Sequence, residues 1–491
     1  MTTSSVWIAI VMFTTVAVCL ADFEAPRTAC LQRRIEIPHE LVSVGPTSSG
    51  TDRPRGLVRY GGDLRIGDLN GDGTVDFVLL KSVGGIKGCF IGAFDWQGKV
   101  LWVWGDKYRQ VASSDRAGGR YIAETPTRPG PLLIADIDGD RRTEVIALVL
   151  KSDVKETSFW NTSDEEFVIL DGTTGKVKRR ASPKSLQTAN AYNSRGDIEP
   201  SNYVHQRILA CDLRGLGKPR DLVIKIGDSI IALNDRLEEL WVYKNKFSEY
   251  GQHSCYVPAV GDVDADGHDE VCGGNFLIDH DGEVLWERFM ARNNDSVAIA
   301  DWDGVPANSN EIILSGYGQV VNSKGEVLSI LGEKMVPHGQ ELRVGKFRSD
   351  MAGLQMAIRY DGHNGRILMA NRAGEIFARF DVDPSYRYIG IESVLWDGRN
   401  KPALLYAPTA LWDGHGRKAV VLPRISRESR YGFTGFMHCI AAELDKSGRE
   451  SIVLYDPYAT EVFIYGSRPL IQDPPTGYKH TAKQYNARIM D

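Results

Sequence analysis

The chain has 491 residues, with 58 Lys and Arg against 64 Asp and Glu and a formal net charge of −6 at pH 7. That length fits about three average domains or one large all-β assembly, and a mildly acidic balance without a basic run argues against nucleic acid as a partner. Glycine, at 50 residues, interrupts nearly every apolar run, which disfavours long helices.

Residues 6–20 form a short apolar segment ending in Cys19-Leu20-Ala21, a small-residue cleavage site, ahead of the polar Asp22-Phe23-Glu24. This reads as a secretory signal over residues 1–21, although no Lys or Arg precedes the apolar run, and Cys19 leaves a lipoprotein anchor as the alternative. The mature chain is therefore expected outside the cytoplasm, extracellular or periplasmic, and as a monomer. No later segment approaches the ~20 apolar residues of a membrane-spanning helix, so no transmembrane segment is expected. Cys30, Cys89, Cys211, Cys255, Cys272 and Cys439 remain after cleavage, none in a C-x-x-C pair, and the plain reading is that several are small buried apolar residues. Asn161-Thr162-Ser163 fits a glycosylation acceptor.

After an N-terminal segment, residues 22–60, an acidic turn followed by an apolar strand recurs. It reads GDLNGDGTVDFV with Asp68, Asn70, Asp72 and Asp76, then Asp136, Asp138, Asp140 and Glu144, then Asp262, Asp264, Asp266 and Glu270. Weaker copies stand at Asp212, at Asp301-Trp302-Asp303, at Lys346, near Ser393 and at Glu443-Leu444-Asp445. Later in each unit comes a second turn, as in DWQGKVLWVW, DGTTGKVKRR, DHDGEVLWER and NSKGEVLSIL. A unit of about 40–50 residues with four short strands cannot bury its own faces, but repeated around an axis it makes a propeller blade. The expected fold is all-β, an eight-bladed β-propeller over residues 61–470 with a tail, 471–491, packed on it; seven blades is the alternative. The last unit has only three evident strands, so residues 31–60 are expected to lend one that closes the circle.

Oxygens at alternate positions of D-x-[DN]-x-D-G-x-x-[DE] form a hard cage suited to Ca²⁺, with glycine allowing the left-handed turn. Calcium is the expected cofactor, in a role that stabilises the blades. Chemistry is expected where the loops leading into the innermost strands gather at one end of the hub. That filter selects Asp63, Arg207 with His205, His253, Asn294 with Asp295, His338 with Glu341, Arg387 with Tyr386 and Tyr388, and His438. Such residues suit β-elimination from a uronate, where a cation or Arg offsets the carboxylate charge while His or Tyr moves protons. Hydrolysis by paired carboxylates remains an alternative, and no G-x-S-x-G turn supports serine chemistry.

The phrases YGGDLRIGDLNGDG, IADIDGDRRTEVIALV, YGQHSCYVPAVGDVDADGHDEV with LIDHDGEVLWE, VLWDGRNKPALL and AAELDKSGRESIVLY resemble, in order, the successive blades of the calcium-dependent β-propeller rhamnogalacturonan lyases, from about residue 58 to the C-terminus. The acidic turns alone are shared with FG-GAP-type propellers. The resemblance implies a lyase acting on a uronate-containing polysaccharide, with a metal held by two histidines and acids beside the uronate. His253 falls on the first histidine. Phrase matching puts the second at His338 with Asp361 as the distant acid, whereas blade counting puts it at Asn293-Asn294-Asp295. In this reading His253, His338, Arg207 and Arg387 are catalytic, and Asp63, Tyr388 and Asp295 bind substrate. About 40 residues of the expected mature chain precede the first blade, where the family commonly has a β-domain, and a lysine expected in the last blade's lead-in is absent from YGFTGFMHC. The rival reading is a non-catalytic calcium-binding propeller for carbohydrate binding or adhesion.

Overall fold

The computed structural model describes residues 25–46, 57–115, 120–126, 128–190, 205–244, 255–292, 294–305, 309–361, 364–382, 390–423 and 438–488. The fold is all-β. Eight four-stranded antiparallel units follow one another along the chain, the first built from Asp63–Gly67, Asp76–Val83, Lys87–Phe94 and Val100–Gly105. The first strands of the other units are Leu132–Ala135, Arg207–Cys211, Ala259–Gly261, Val297–Ala300, Gly339–Gly345, Glu392–Val394 and His438–Ala442, and each neighbours the first strand of the unit before it. We number these units as sheets one to eight.

Sequence explains the layering of each sheet. Second and third strands such as DFVLLKSV, EVIALVL and SIIALN are buried along their whole length, because both of their faces meet a neighbouring sheet. Outer strands alternate, as in Glu239–Lys244, where only Trp241 and Tyr243 are buried. Among the described residues, the buried apolar side chains sort into eight clusters, each shared by two sheets. One joins Val78 and Leu80 of sheet one to Val145 and Ala147 of sheet two, and another joins Leu64 and Ile66 of sheet one to Ile440 and Val453 of sheet eight. Cys89, Cys211, Cys272 and Cys439 are free thiols used as small apolar filling within these clusters, and burial pushes each of them up from its ordinary pKa.

Cys30–Glu36 pairs antiparallel with Glu461–Gly466 and supplies the fourth strand that the last repeat lacks in sequence. Arg27–Thr28 continues onto the edge of sheet seven. Two features were not foreseen: a parallel bridge from Gly88 to Val149 links sheets one and two, and the strands Gln110–Ser113, Arg120–Glu124 and Glu156–Thr157 extend that pair.

The second turn has the same physical role in three of the repeats. Trp102, Trp241 and Trp286 stand on outer strands, and each donates its indole N–H to a carbonyl in the second turn of the next sheet, at Gly172, His280 and Ser323 (2.7, 2.8 and 3.1 Å). Gly282 has φ +95°, and a Cβ there would meet Trp241 at 2.7 Å. Gly282→Ala therefore combines a left-handed strain of about 1–3 kcal/mol with an overpacked ring contact, and urea unfolding is expected to show a loss of at least about 2 kcal/mol.

The acidic turns are stitched together in the same direction. Thr143 Oγ1 donates to the Asp68 carbonyl (2.6 Å), Asp269 N to the Asp212 carbonyl (3.0 Å), and Asn310 Nδ2 to the Asp262 carbonyl (2.7 Å). The C-terminal segment spans turns eight and one: Lys479 N donates to Glu443 O, while Gly477 N and Tyr478 N donate to Gly73 O. Beyond it, the chain runs along the row of first strands. His480 Nε2 donates to Ile134 O, Gln484 to Ala441 O, Asn486 exchanges two bonds with the Ala210 backbone, and Arg488 reaches Val257 O.

Candidate functional site

The acidic turns share one hydrogen-bond scheme, set by local sequence. In turn one, Asp68 accepts from Gly71 N and Gly73 N, and Asp76 from Leu69 N. In turn two Asp136 accepts from Gly139 N and Arg141 N, with Glu144 accepting from Ile137 N. In sheet four's turn Asp262 accepts from Ala265 N and Gly267 N, and Glu270 from Val263 N. Ligand oxygens of Asp136, Asp138 and Glu144, and those of Asp262, Asp264 and Glu270, lie within 4.8 Å of one another. Asn70 donates to Asp72 in the first turn, while Asp140 and Asp266 stand outside the two tight trios.

These donor sets fit a hard divalent cation, and the strain they carry without one is visible. Glu270 is fully buried and its Oε1 lacks a hydrogen-bond partner. Burial, with neighbouring aspartates adding to it, raises Asp76 to about 7, Glu144 to about 7 and Glu270 to about 8. Turn two is partly satisfied from within: the Lys178 ammonium lies 2.5 Å from Asp138 and 2.8 Å from Glu144, so a cation binding there would have to displace it. Sheet three goes further, with the Arg214 guanidinium 2.7 Å from Asp221 where a cation would otherwise be needed.

The pH dependence follows from these shifts. Each of the three carboxyls holds its proton more tightly folded than unfolded, so in the metal-free protein their contribution to stability is complete below about pH 4 and is lost as pH rises through 7 to 8. A cation binds the ionised form and pulls the other way. The calcium-induced rise in the thermal midpoint is expected to be small at pH 5.5 and large at pH 8.5 by calorimetry; equal rises at the two values would contradict the assignment.

At the opposite ends of the first strands, polar groups from different sheets meet. Asp63 is buried with both oxygens engaged: Oδ2 accepts from Arg65 (3.1 Å) and Gly130 N (2.8 Å), and Oδ1 from the Tyr455 hydroxyl of sheet eight (2.9 Å). It braces sheets one and eight. Arg207 is also buried and donates to Gln206 O. His438 is buried and neutral, its pKa lowered to about 4 by burial, within the electrostatic reach of Asp63, Arg65 and Arg207. His205 stacks on Tyr256 at 4.0 Å. Glu341 is tied to Arg359 at 3.0 Å with both side chains buried.

The segments leading into sheets five and six run side by side, bridged in parallel at Asn294 and Gly339. This brings His338 Nε2 to 3.1 Å from Asp295 Oδ2, which also accepts from Gln340 Nε2 at 2.6 Å. The carboxyl side chain of Asp295 is 0% exposed and the imidazole of His338 is 33% exposed. The two positions that phrase matching and blade counting offered as alternatives are therefore hydrogen-bonded neighbours. Asp361 continues the strand paired with this lead-in but is taken up by Arg366 at 2.8 Å and by Asn364; it does not join His338 and Asp295 in a metal-sized group. His253, Arg387 and Tyr388 lie outside the described residues.

Several groups were missed in sequence. Lys178 stands on the outer strand Val177–Ala181, just after a second turn, and Arg65, Gln340 and Tyr455 stand within strands, where alternation gave no sign that they faced polar partners. A separate groove of about 940 Å³ is lined by Arg27, Arg348, Asp397, Trp412 and His415 of sheets six and seven and the N-terminal segment.

No protein-family model matches the chain. Among curated proteins it is 24% identical over 310 residues to rhamnogalacturonan endolyase YesW of Bacillus subtilis, covering 54% of this chain and 46% of the relative. It is 23% identical over 370 residues to rhamnogalacturonan exolyase YesX of the same organism, covering 66% and 51%. The chain is similar to rhamnogalacturonan lyases. It spans about half the length of these curated relatives. The crystal structure of YesX superposes with a TM-score of 0.62 at 19% identity over 89% of this chain and 76% of that one, and the structure of YesW with 0.59 at 18% over 88% and 77%. The Vibrio cholerae biofilm matrix protein Bap1 gives 0.52 at 14% identity over 92% of each chain. These superpositions establish a shared fold. Among the described residues, no helix is long and apolar enough to cross a membrane.

Proposed function

We propose that this chain is a secreted polysaccharide lyase that cleaves a uronate-containing, rhamnogalacturonan-like polymer by β-elimination on a closed, eight-bladed, calcium-stabilised propeller. The observation that carries the reading is the half-exposed His338 held at 3.1 Å by the fully buried Asp295, two residues 43 apart in sequence. Supporting closure, eight sheets share eight apolar clusters among the described residues, one of them between the last sheet and the first, whereas an open arc of eight would have seven.

In this reading His338 takes the proton from C5 of the uronate, the C4–O bond breaks as the C4=C5 double bond forms, and the departing oxygen takes up a proton from water; Asp295 orients the ring and stabilises the imidazolium that forms. Arg207 and Arg387 offset the uronate charge, His253 joins His338 in proton movement or cation binding, and Tyr388 contacts the sugar. A bound cation would lower the barrier by neutralising the carboxylate beside C5. Hydrolysis is disfavoured because Asp63 and Glu341 are each committed to an arginine, which leaves them poorly placed to act as the paired acids of a glycosidase.

Incubating the protein with rhamnogalacturonan, other pectic polymers and ulvan-type polymers, with calcium, should give ultraviolet absorbance from a new C=C bond. Reducing ends without absorbance would indicate hydrolysis instead. The adhesive reading has one observation in its favour, that Arg207 and Asp63 are buried rather than presented. It predicts polymer retention with no product of either kind.

A further inference from the structure

We propose that sheet four carries a second cation site beside its calcium cage, a nitrogen–oxygen site for a borderline divalent metal of the zinc class, formed by Asp266, His268 and His280. One ligand atom from each of these three lies within 4.8 Å of the others. His268 Nδ1 is 3.2 Å and His280 Nδ1 is 3.8 Å from the Asp266 carboxylate. Ligands around one tetrahedral ion with bonds of ~2.0–2.1 Å stand about 3.3 Å apart, so small side-chain adjustments suffice. The two imidazoles come from different turns of the sheet and stack at 4.2 Å with ring planes 21° apart. Asp279 holds His280 Nδ1 at 2.8 Å, placing a further carboxylate at the ring. Gly215 of sheet three leaves room for the His268 ring, since a Cβ there would lie 2.5 Å from its Nε2.

A second observation points to a ligand. Glu270, fully buried with Oε1 lacking a hydrogen-bond partner, forms one metal-sized group with Asp262 and Asp264 and another with Asp279 and His280. His280 is therefore common to the proposed site and to the group that contains this unpartnered carboxylate. Imidazole selects zinc-class metals over calcium, while carboxylate-only cages do the reverse. The chemistry is confined to this sheet by sequence. The position of His268 is Thr74 in turn one and Arg142 in turn two, and that of His280 is Trp96 and Gly172. Side-chain exposures near 30% for both imidazoles leave room for water on an open coordination position. This site is independent of the lyase reading.

The test is a Co²⁺ titration of untagged, calcium-saturated protein, read by visible ligand-field absorption and reversed by Zn²⁺. One Co²⁺ per chain is expected. His268→Ala and His280→Ala should each weaken binding at least tenfold, and the double variant should lose the band while keeping its calcium-dependent thermal shift. No band in the wild type, or an unchanged titration in either single variant whose fold is confirmed by circular dichroism, would overturn the proposal.

Discussion

Stripping divalent cations at pH 8 is expected to lower the thermal midpoint by about 5–8 °C, with full recovery on adding calcium. The cages crowd carboxylates together: Asp262, Asp264 and Glu270 gather within 4.8 Å, and Glu270 and Asp76 are almost wholly buried. Each saturated site adds about 2.7 kcal/mol when the free cation is a hundredfold above its dissociation constant, so two or three sites outweigh a large part of the margin by which a domain is stable. Turn two should contribute least, because Lys178 already neutralises Asp138 and Glu144. Glu270→Gln should remove a substantial share of the calcium response and Lys178→Met should enlarge it. A midpoint indifferent to chelator would mean that the turns are held by their backbone hydrogen bonds alone.

His338→Ala is expected to lower kcat on a uronate polymer by about 10²–10⁴-fold, the usual contribution of a positioned general base, with KM changed much less. Asp295→Asn should keep the hydrogen bond to the ring but remove the charge that stabilises imidazolium, lowering kcat at least about tenfold and moving the acidic limb of the pH–rate profile. Combining the two should cost little more than His338→Ala alone, because the residues act as a unit. Fully additive losses would show that Asp295 works through the fold and not through His338. His438→Ala serves as the contrast: it is buried and neutral, with its pKa near 4, so its removal should affect stability more than the pH profile.

The repeat was legible because physics forces it into sequence. An acidic turn needs its Asp and Gly at fixed spacing, and a strand packed on both faces must be apolar throughout, as in EVIALVL. The missing fourth strand of the last sheet was legible for the same reason, as a count that did not close, and Cys30–Glu36 fills it. Other features leave no such trace. The tail from His480 to Arg488 bonds to first strands through side chains whose pattern has no period. His338 and Asp295 could each be picked as candidates, yet their pairing depends on two lead-ins running in parallel through the Asn294–Gly339 bridge, which is a property of neighbouring sheets rather than of either segment. Asp63 and Arg207 were picked by position alone, and position does not reveal burial or the partners that already engage a carboxylate.

Function is expected to reside at the lead-ins to the first strands, around His338 and Asp295. A crystal structure of the His338→Ala variant soaked with a rhamnogalacturonan oligosaccharide tests it most directly. The uronate is expected beside Asp295 and the vacated imidazole position. Sugar seated instead in the groove by Trp412 and His415, with the lead-ins around His338 and Asp295 left empty, would contradict it.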